Sequence, residues 1–503
     1  MKDHPQFSEM IRMVEFSRYL SEPTEGYALG YLTEDCIVLP ESAKIIPVDF
    51  ASVIGVIADN SVCPPTFKPG PHENGRGVET TERVAVSQSC FRIHTCPLVT
   101  RWRWFGFRKE RHRLLKTYYF SCPDEKARSR WLKAIQNILK GKSREYQSAP
   151  SRRRLKIFIN PMSGQKQGRK IFARIRPILD HSDLEYSVTE TGHAGQIQLT
   201  LSQIDLSAID EIVLVGGDGS MHEAINGLMS RTDWQQAILK PIGVIPAGTG
   251  SGLAKTLLEI AGEPYDAVSA AFLIAKGKQR PLDLALVQQN EQSYYSFLSL
   301  GWAIISDVDI ESERLRNLGS LRMDIYALLR IWQLRHYAAR FSYIPVIDEL
   351  TVAGTCERFA KRSSYLQPGG YENRSENPSS RKLIQSSQNE WHLIEDDFVL
   401  FWAMNIPYAS HDILAAPFAH LADGNLDVIL VRRGISKLNL LLAFLKSAHG
   451  EHVFLPRVEY YKVSCFRLEP LTSRGILAVD GERVDYAPIQ MEVKRGLARV
   501  ICG

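Results

Sequence analysis

Cysteine is sparse in this chain and falls into no pattern. The eight cysteines (36, 63, 90, 96, 122, 356, 465 and 502) include no Cys-x-x-Cys pair and no zinc-ligand spacing. That excludes the usual metal knuckles and reads as free thiols in a reducing compartment. Long apolar runs are missing too: the longest extend about ten residues, well short of the ~20 a spanning helix needs. No signal peptide is legible at the N-terminus, so the expected location is cytoplasmic, with membranes met only peripherally. An excess of one charge is also lacking. Lys and Arg total 61 against 56 Asp and Glu, a net charge of +5 that permits attraction to anionic lipid or nucleotide without requiring either. No glycine cluster is followed by Gly-Lys-Ser/Thr, which excludes a P-loop. What is present is 44% hydrophobic residues in 503, ample for sizeable cores and, at ~150 residues per domain, about three domains.

The most informative stretch is IVLVGGDGSMHEAINGL, residues 212–228. A β-branched run (Ile212, Val213, Val215) stops at glycines, and Asp218 sits between Gly217 and Gly219. Met221, Ala224, Ile225 and Leu228 then recur at helical spacing. A strand breaking through glycines into a helix start is a phosphate cradle, because free N–H groups and the helix dipole favour anions. A carboxylate there repels phosphate unless it handles a metal or a proton, which makes Asp218 a candidate base. The bland alternative is a plain strand-to-helix turn with an exposed aspartate. Two neighbours weaken it. LKIFINPMSGQKQGRKIF ends a strand (155–159) in Asn160, Pro161, Ser163, Gly164 and Gly168. IGVIPAGTGSGLAKTLL ends another (242–245) in Gly248, Thr249, Gly250, Ser251 and Gly252. In a parallel sheet all three junctions open at the carboxyl ends of strands, where such sheets bind ligands.

The set NPMSG, GGDGSMHE and PAGTG resembles the diacylglycerol-kinase catalytic domain shared by diacylglycerol, ceramide and sphingoid-base kinases. SLGWAIISDVDIESERLRNLGSLR (299–322) and LAVDGERV (477–484) narrow the resemblance to sphingosine (long-chain base) kinases, nearest in wording to the plant branch. It covers roughly 152–345 and 395–503. It implies ATP as co-substrate, Mg²⁺ as cofactor, a sphingoid base as acceptor, and Asp218 as base. It also implies a nucleotide site of Asn160, Pro161, Gly164, Thr189, Gly217, Gly219, Gly248, Thr249, Gly250, Arg316, Arg322, Asp480, Gly481 and Glu482, with His193 near Thr189. Asp480 and Glu482 are the implied metal carboxylates. Asp309 is the implied lipid-recognising carboxylate; a sphingoid base carries an ammonium beside its reactive hydroxyl, and a carboxylate pairs with it. Asp307 receives no role.

Plain readings stand beside these. Glu311, Glu313, Arg314 and Arg316 fit i,i+3 and i,i+4 pairs on an exposed helix, and Asp-Gly-Glu alone is a hairpin turn. The helical run 318–337 is apolar between basic residues. Leu318, Leu321, Met323, Ile325, Leu328, Leu329 and Trp332 are either contacts of a lipid tail or the inside of a core helix. Two departures from the family pattern are Ser251, where Asn is usual, and Met162-Ser163 in the first loop.

The expected fold is α/β: a three-layer, parallel-sheet nucleotide domain (155–284) followed by an antiparallel β-sandwich (285–503). A small β-rich, pleckstrin-homology-like domain (1–142) and a linker (143–154) precede them. Within the sandwich, 354–390 is polar, Gly- and Ser-rich, and reads as a disordered insertion. The N-terminal part contains VTRWRWFGFRKERHR (99–113), six Arg or Lys against one Glu with aromatics interleaved. This stripe suits an anionic membrane or is simply a solvated hairpin face; no nucleic-acid motif accompanies it. A homodimer is compatible with the chain. The competing functions are ceramide or diacylglycerol kinase and a non-catalytic lipid-binding scaffold.

Overall fold

The computed structural model describes residues 7–14, 28–32, 36–38, 48–59, 89–102, 109–122, 124–142, 152–247, 250–312, 314–315, 321–346 and 390–503. The chain forms two compact units, residues 1–153 with 176–185, and 154–175 with 186–503.

In the first unit seven strands pair in the order 48–49, 36–38, 28–32, 7–14, 116–122, 89–95, 53–59. Leu98–Trp102 and Lys109–Arg113 form a separate antiparallel hairpin; its tip, 103–108, lies outside the described residues. Helix Glu125–Lys142 is capped by Asp124, whose Oδ1 accepts the Ala127 N–H at 2.7 Å. Its buried Ala127, Trp131 and Ile135 pack on Phe91, Ile93 and Phe120. Among the described cysteines the all-thiol expectation fails at Cys90, which is disulfide-bonded, whereas Cys96, Cys122, Cys465 and Cys502 form no disulfide.

In the second unit strands β1 (Arg153–Ile159), β2 (Leu184–Glu190), β3 (Glu211–Gly216) and β4 (Ile242–Pro246) lie in the order β2-β1-β3-β4. β1–β3 and β3–β4 are parallel, with Ile157 opposite Val213 and Val213 opposite Gly243. Every residue of β3 and β4 is buried, as expected of parallel strands covered on both faces. Helix α1 (Asp218–Met229) leaves β3, and helix α2 (Gly252–Ile260) follows β4. Met221, Ala224, Ile225 and Leu228 are fully buried, so the spacing legible in the sequence is the face packed on the sheet.

Further along come helices α3 (Ile304–Ser312) and α4 (Leu321–Trp332), strand β5 (Tyr337–Pro345), and helix α5 (Lys437–Lys446). β5 belongs to the antiparallel part, whose core gathers Trp302, Phe341, Phe398, Phe401 and Phe466. Two details depart from the expected layout. Residue 284 lies inside strand Gln279–Gln289, and the final strand, Ile489–Ile501, serves both lobes. Its Val500 pairs parallel with Ile242 of β4, while the rest pairs antiparallel with Gln279–Gln289 and Val458–Pro470. After Gln279–Gln289 come two short strands, Gln292–Ser296 and Ser299–Ala303, with a break between them. The linker stretch 143–151 and nearly all of the insertion (347–389) lie outside the described residues. Among the described residues no helix is long and apolar enough to cross a membrane.

Candidate active site

β3 delivers the chain to Gly217, which is extended (φ −108°, ψ −170°), and α1 opens at Asp218. The Asp218 carboxylate is 8% exposed. It accepts the Gly252 N–H at 2.7 Å and the Leu253 N–H at 3.3 Å, first-turn donors of α2 that have no partner within their own helix. The aspartate of one glycine loop thus caps the helix of the next. Gly252 has to be glycine: a Cβ there would lie 2.4 Å from the Tyr408 carbonyl oxygen. Burial pushes the Asp218 pKa up, the two N–H groups pull it down, and the Asp480 charge raises it again, leaving it at about 6. Each carboxylate oxygen keeps a further lone pair. A buried carboxyl with this pKa is ionised at neutral pH yet basic enough to take a proton.

The first loop is held against β3. The Asn160 N–H donates to the Val215 carbonyl at 3.0 Å, and Asn160 Oδ1 accepts the Met162 N–H at 3.0 Å. Pro161 follows in the turn, and Gly164 adopts φ +60°. A Cβ on Gly216 would lie 2.5 Å from Ser220 Oγ and 3.5 Å from Ser163 Oγ, so two buried hydroxyls gather at the cradle. Thr189 is half-buried on β2, whereas Thr191 meets the end of β1, its N–H donating to Ile159 at 2.9 Å. Gly250 is exposed with open space around its Cα. Gly248, Thr249 and Arg316 lie outside the described residues, and Arg322 is half-buried in the first turn of α4. Ser251 is fully buried.

The Asp-Gly-Glu turn joins Leu477–Val479 to Glu482–Val484, with Asp480 at φ +51° and Gly481 at φ +83°. Asp480 Oδ1 accepts from Ser296 Oγ (2.6 Å), Leu298 N (3.0 Å) and Ser299 N (3.0 Å). Oδ2 accepts from Phe297 N (3.3 Å) and His222 Nδ1 (2.8 Å). These backbone bonds hold the break between strands Gln292–Ser296 and Ser299–Ala303. A carboxylate so occupied does not fit the role of direct metal ligand. Nor do the described residues contain any group of three His, Cys, Asp or Glu that could hold a metal. Glu482 differs: it is exposed, and its Oε1 is 3.9 Å from where a Gly219 Cβ would sit. A Mg²⁺ held mainly by nucleotide phosphates and water needs only one or two such carboxylates.

His222 was not singled out from the sequence, although it stands one turn after Asp218. Burial works against its charge, but its hydrogen bond to Asp480 and that group's negative charge outweigh this and raise its pKa. The pair ties α1 of the nucleotide lobe to the turn of the sandwich.

Asp309 is half-buried on α3, its Oδ2 3.9 Å from the position of a Gly481 Cβ. Glu311 does not pair along its own helix in the way the charge spacing suggested; it meets Arg330 and Arg335. On α4 the candidate tail contacts Leu328, Leu329 and Trp332 are 54%, 39% and 70% exposed, and with Ile325 they form an outward stripe rather than an enclosed lining. Met323, Tyr326 and Ala327 pack inward.

Three glycine loops on a parallel sheet, a buried aspartate joining two of them and a carboxylate turn from a β-sandwich define a kinase of the diacylglycerol-kinase type. Residues 154–287 match the diacylglycerol kinase catalytic domain, and 390–502 match the YegS C-terminal NAD kinase beta sandwich-like domain. The chain is 35% identical to sphingosine kinase 1 of Arabidopsis thaliana over 69% of its own length and 74% of that protein. It is 31% identical to human sphingosine kinase 1 over 68% and 88% respectively. The chain belongs to the sphingosine kinase family.

Proposed function

We propose that the protein transfers the γ-phosphoryl group of ATP to the primary hydroxyl of a sphingoid base, giving the base 1-phosphate and ADP. The observation that carries this reading is Asp309, placed beside the same turn that brings Glu482 to Gly219. One carboxylate thereby takes the substrate ammonium while the glycine loops take the phosphates. Backbone N–H groups of Gly217 and Gly219, with the first loop from Asn160 to Gly164, cradle the phosphates. Asp218 accepts the hydroxyl proton as the oxygen attacks. Glu482 would hold Mg²⁺, which supplies neutralisation of the phosphate charge. Asp480 acts as an anchor for Gly481 and Glu482.

The lipid arrives from a membrane. The α4 stripe, with Leu438 and Leu445 of α5 each 66% exposed, offers apolar contact, and the hairpin 98–113 offers positive charge. Peripheral association with an anionic membrane follows, from a cytoplasmic location. Label transfer from γ-labelled ATP to sphingosine, ceramide and diacylglycerol tests the function. Sphingosine is the expected acceptor, and equal rates on ceramide would replace this reading with a ceramide kinase.

A further inference from the structure

α3 presents two acidic faces. Asp307 and Glu311, at i and i+4, share one side; Asp309 is two residues from each and projects to the other. The side bearing Asp307 and Glu311 is clamped. The Glu311 carboxylate is ion-paired with Arg330 of α4, whose side chain is 9% exposed, and lies 3.6 Å from Arg335 Nη1. Asp307 Oδ2 accepts the Tyr337 hydroxyl at 2.6 Å and Arg335 Nη1 at 3.4 Å. Ser312 Oγ approaches Met323 Sδ at 3.1 Å. The start of α3 is fixed separately, by Ser306 Oγ donating to the Gly301 carbonyl at 2.5 Å after Ala303 at φ +59°.

Arg330 lies on the same helix as the outward stripe Ile325, Leu328, Leu329 and Trp332, but points the opposite way, into the protein. The Arg330–Glu311 ion pair is a polar tie between the two helices. Asp307 Oδ1 and Arg330 Nε are buried with no hydrogen-bond partner among the described residues, and both side chains line one small recess with Arg335 and Tyr337. The clamp is therefore tight at Glu311 and leaves two polar atoms unused beside it.

We infer that Arg330 is a positioning residue: through Glu311 it lets the helix with the exposed apolar stripe set the place of Asp309 against the substrate ammonium. The inference rests on the reading of Asp309 given above. Lipid-facing contact on one side of α4 is then transmitted to the recognition carboxylate through the buried ion pair on its other side. Removing one partner of a buried pair leaves the other charged and unmatched, which frees α3 to shift while the glycine loops stay as they are.

The test uses the full chain, with steady-state kinetics on sphingosine in mixed micelles. Arg330→Met and Glu311→Gln should each raise the KM for sphingosine roughly tenfold, within the ~5–150-fold span of ordinary site-to-site coupling. The KM for ATP and the kcat should stay within about threefold of wild type. A general packing defect would instead lower kcat and disturb both substrates. In an Asp309→Ala background, Arg330→Met should add little, because it acts through the missing carboxylate. The exchange Arg330→Glu with Glu311→Arg should recover part of the loss. Should Arg330→Met fail to fold, Glu311→Gln, which keeps the shape, carries the same test. An unchanged sphingosine KM in these variants while Asp309→Ala raises it overturns the coupling alone. An unchanged KM in Asp309→Ala overturns the function reading and the coupling with it.

Discussion

Asp218 Oδ2 and the Gly252 N–H are 2.7 Å apart, and this one hydrogen bond joins the base of one glycine loop to the helix of another. The carboxylate proposed to accept the substrate proton is also the cap of α2, so its orientation is set before substrate arrives. Asp218→Asn should keep the cap, because its amide oxygen can still accept from Gly252. It should lose the proton acceptor, a role worth ~10²–10⁴-fold in rate. Turnover within a few-fold of wild type, in a protein that melts normally, would remove Asp218 from the chemistry.

The same residue sets a pH limit. Its pKa is raised to about 6 by burial, and the proposed role as base requires the ionised form. The kcat/KM should therefore be level above this value and fall about tenfold per pH unit below it. Stability runs the other way: a carboxyl raised from 3.8 to about 6 by folding disfavours the native state as pH rises through that interval. Asp218→Asn should erase this dependence from both profiles. An acid limb that survives the substitution would belong to another group.

The glycine junctions were legible in the sequence because they need residues the rest of a sheet avoids, and because helical spacing resumes directly after them. Strands β3 and β4 were legible as short, mainly apolar runs. What stayed hidden were partnerships between distant residues. Asp480 meets Ser296, Phe297, Leu298, Ser299 and His222, and nothing local marks a hairpin aspartate as the acceptor for five donors. The charge spacing over 311–316 suited an exposed helix equally well; only the arrival of Arg330 and Arg335 shows that Glu311 belongs to an inner clamp. The stripe on α4 has the period of a core helix, and periodicity does not say whether anything covers it. The final strand read as part of the sandwich alone, yet it pairs in both lobes.

The His222–Asp480 pair should carry stability across the two lobes. His222→Leu leaves a buried carboxylate without one of its donors, and loss of one partner of a buried charged hydrogen bond costs about 1–3 kcal/mol. His222→Gln, which can still donate, should recover much of that. Since the folded-state pKa of His222 is raised by Asp480, the contribution is fully present below the ordinary histidine value and fades as pH rises past the folded one. Denaturant melts of the three proteins at pH 6 and pH 9 check this. A His222→Leu penalty that is the same at both pH values would mean the ring acts only by packing.

Asp309→Ala should discriminate between lipids rather than lower all rates. A desolvated charge-assisted hydrogen bond contributes roughly 1.5–3 kcal/mol, about 10–150-fold in kcat/KM. The loss should fall on sphingosine and spare the KM for ATP, so the gap between sphingosine and ceramide narrows. A uniform fall on both lipids would leave the carboxylate with no part in recognising the ammonium.

Two features of opposite character would carry the proposed membrane contact, and they can be separated by salt. The hairpin works through charge, so neutralising Arg101, Arg103, Arg108 and Lys109 should weaken binding to vesicles containing anionic lipid at low ionic strength. The effect should shrink at ~1 M salt, where the Debye length is about 3 Å. The α4 stripe works through burial of apolar surface; side chains of this size contribute ~1.5–3 kcal/mol each when fully covered. Trp332 at 70% exposure and Leu328 at 54% have most to gain. Leu328→Asp with Trp332→Ser should therefore reduce partition onto neutral and anionic vesicles alike, with little salt dependence. Because the stripe faces outward, melting should barely change, and activity on detergent-dispersed sphingosine should fall less than activity on vesicle-bound sphingosine. If the two substitutions leave vesicle partition untouched at every salt concentration, α4 is not the membrane-facing helix. If only the basic substitutions matter, the attraction is electrostatic and the stripe serves another purpose.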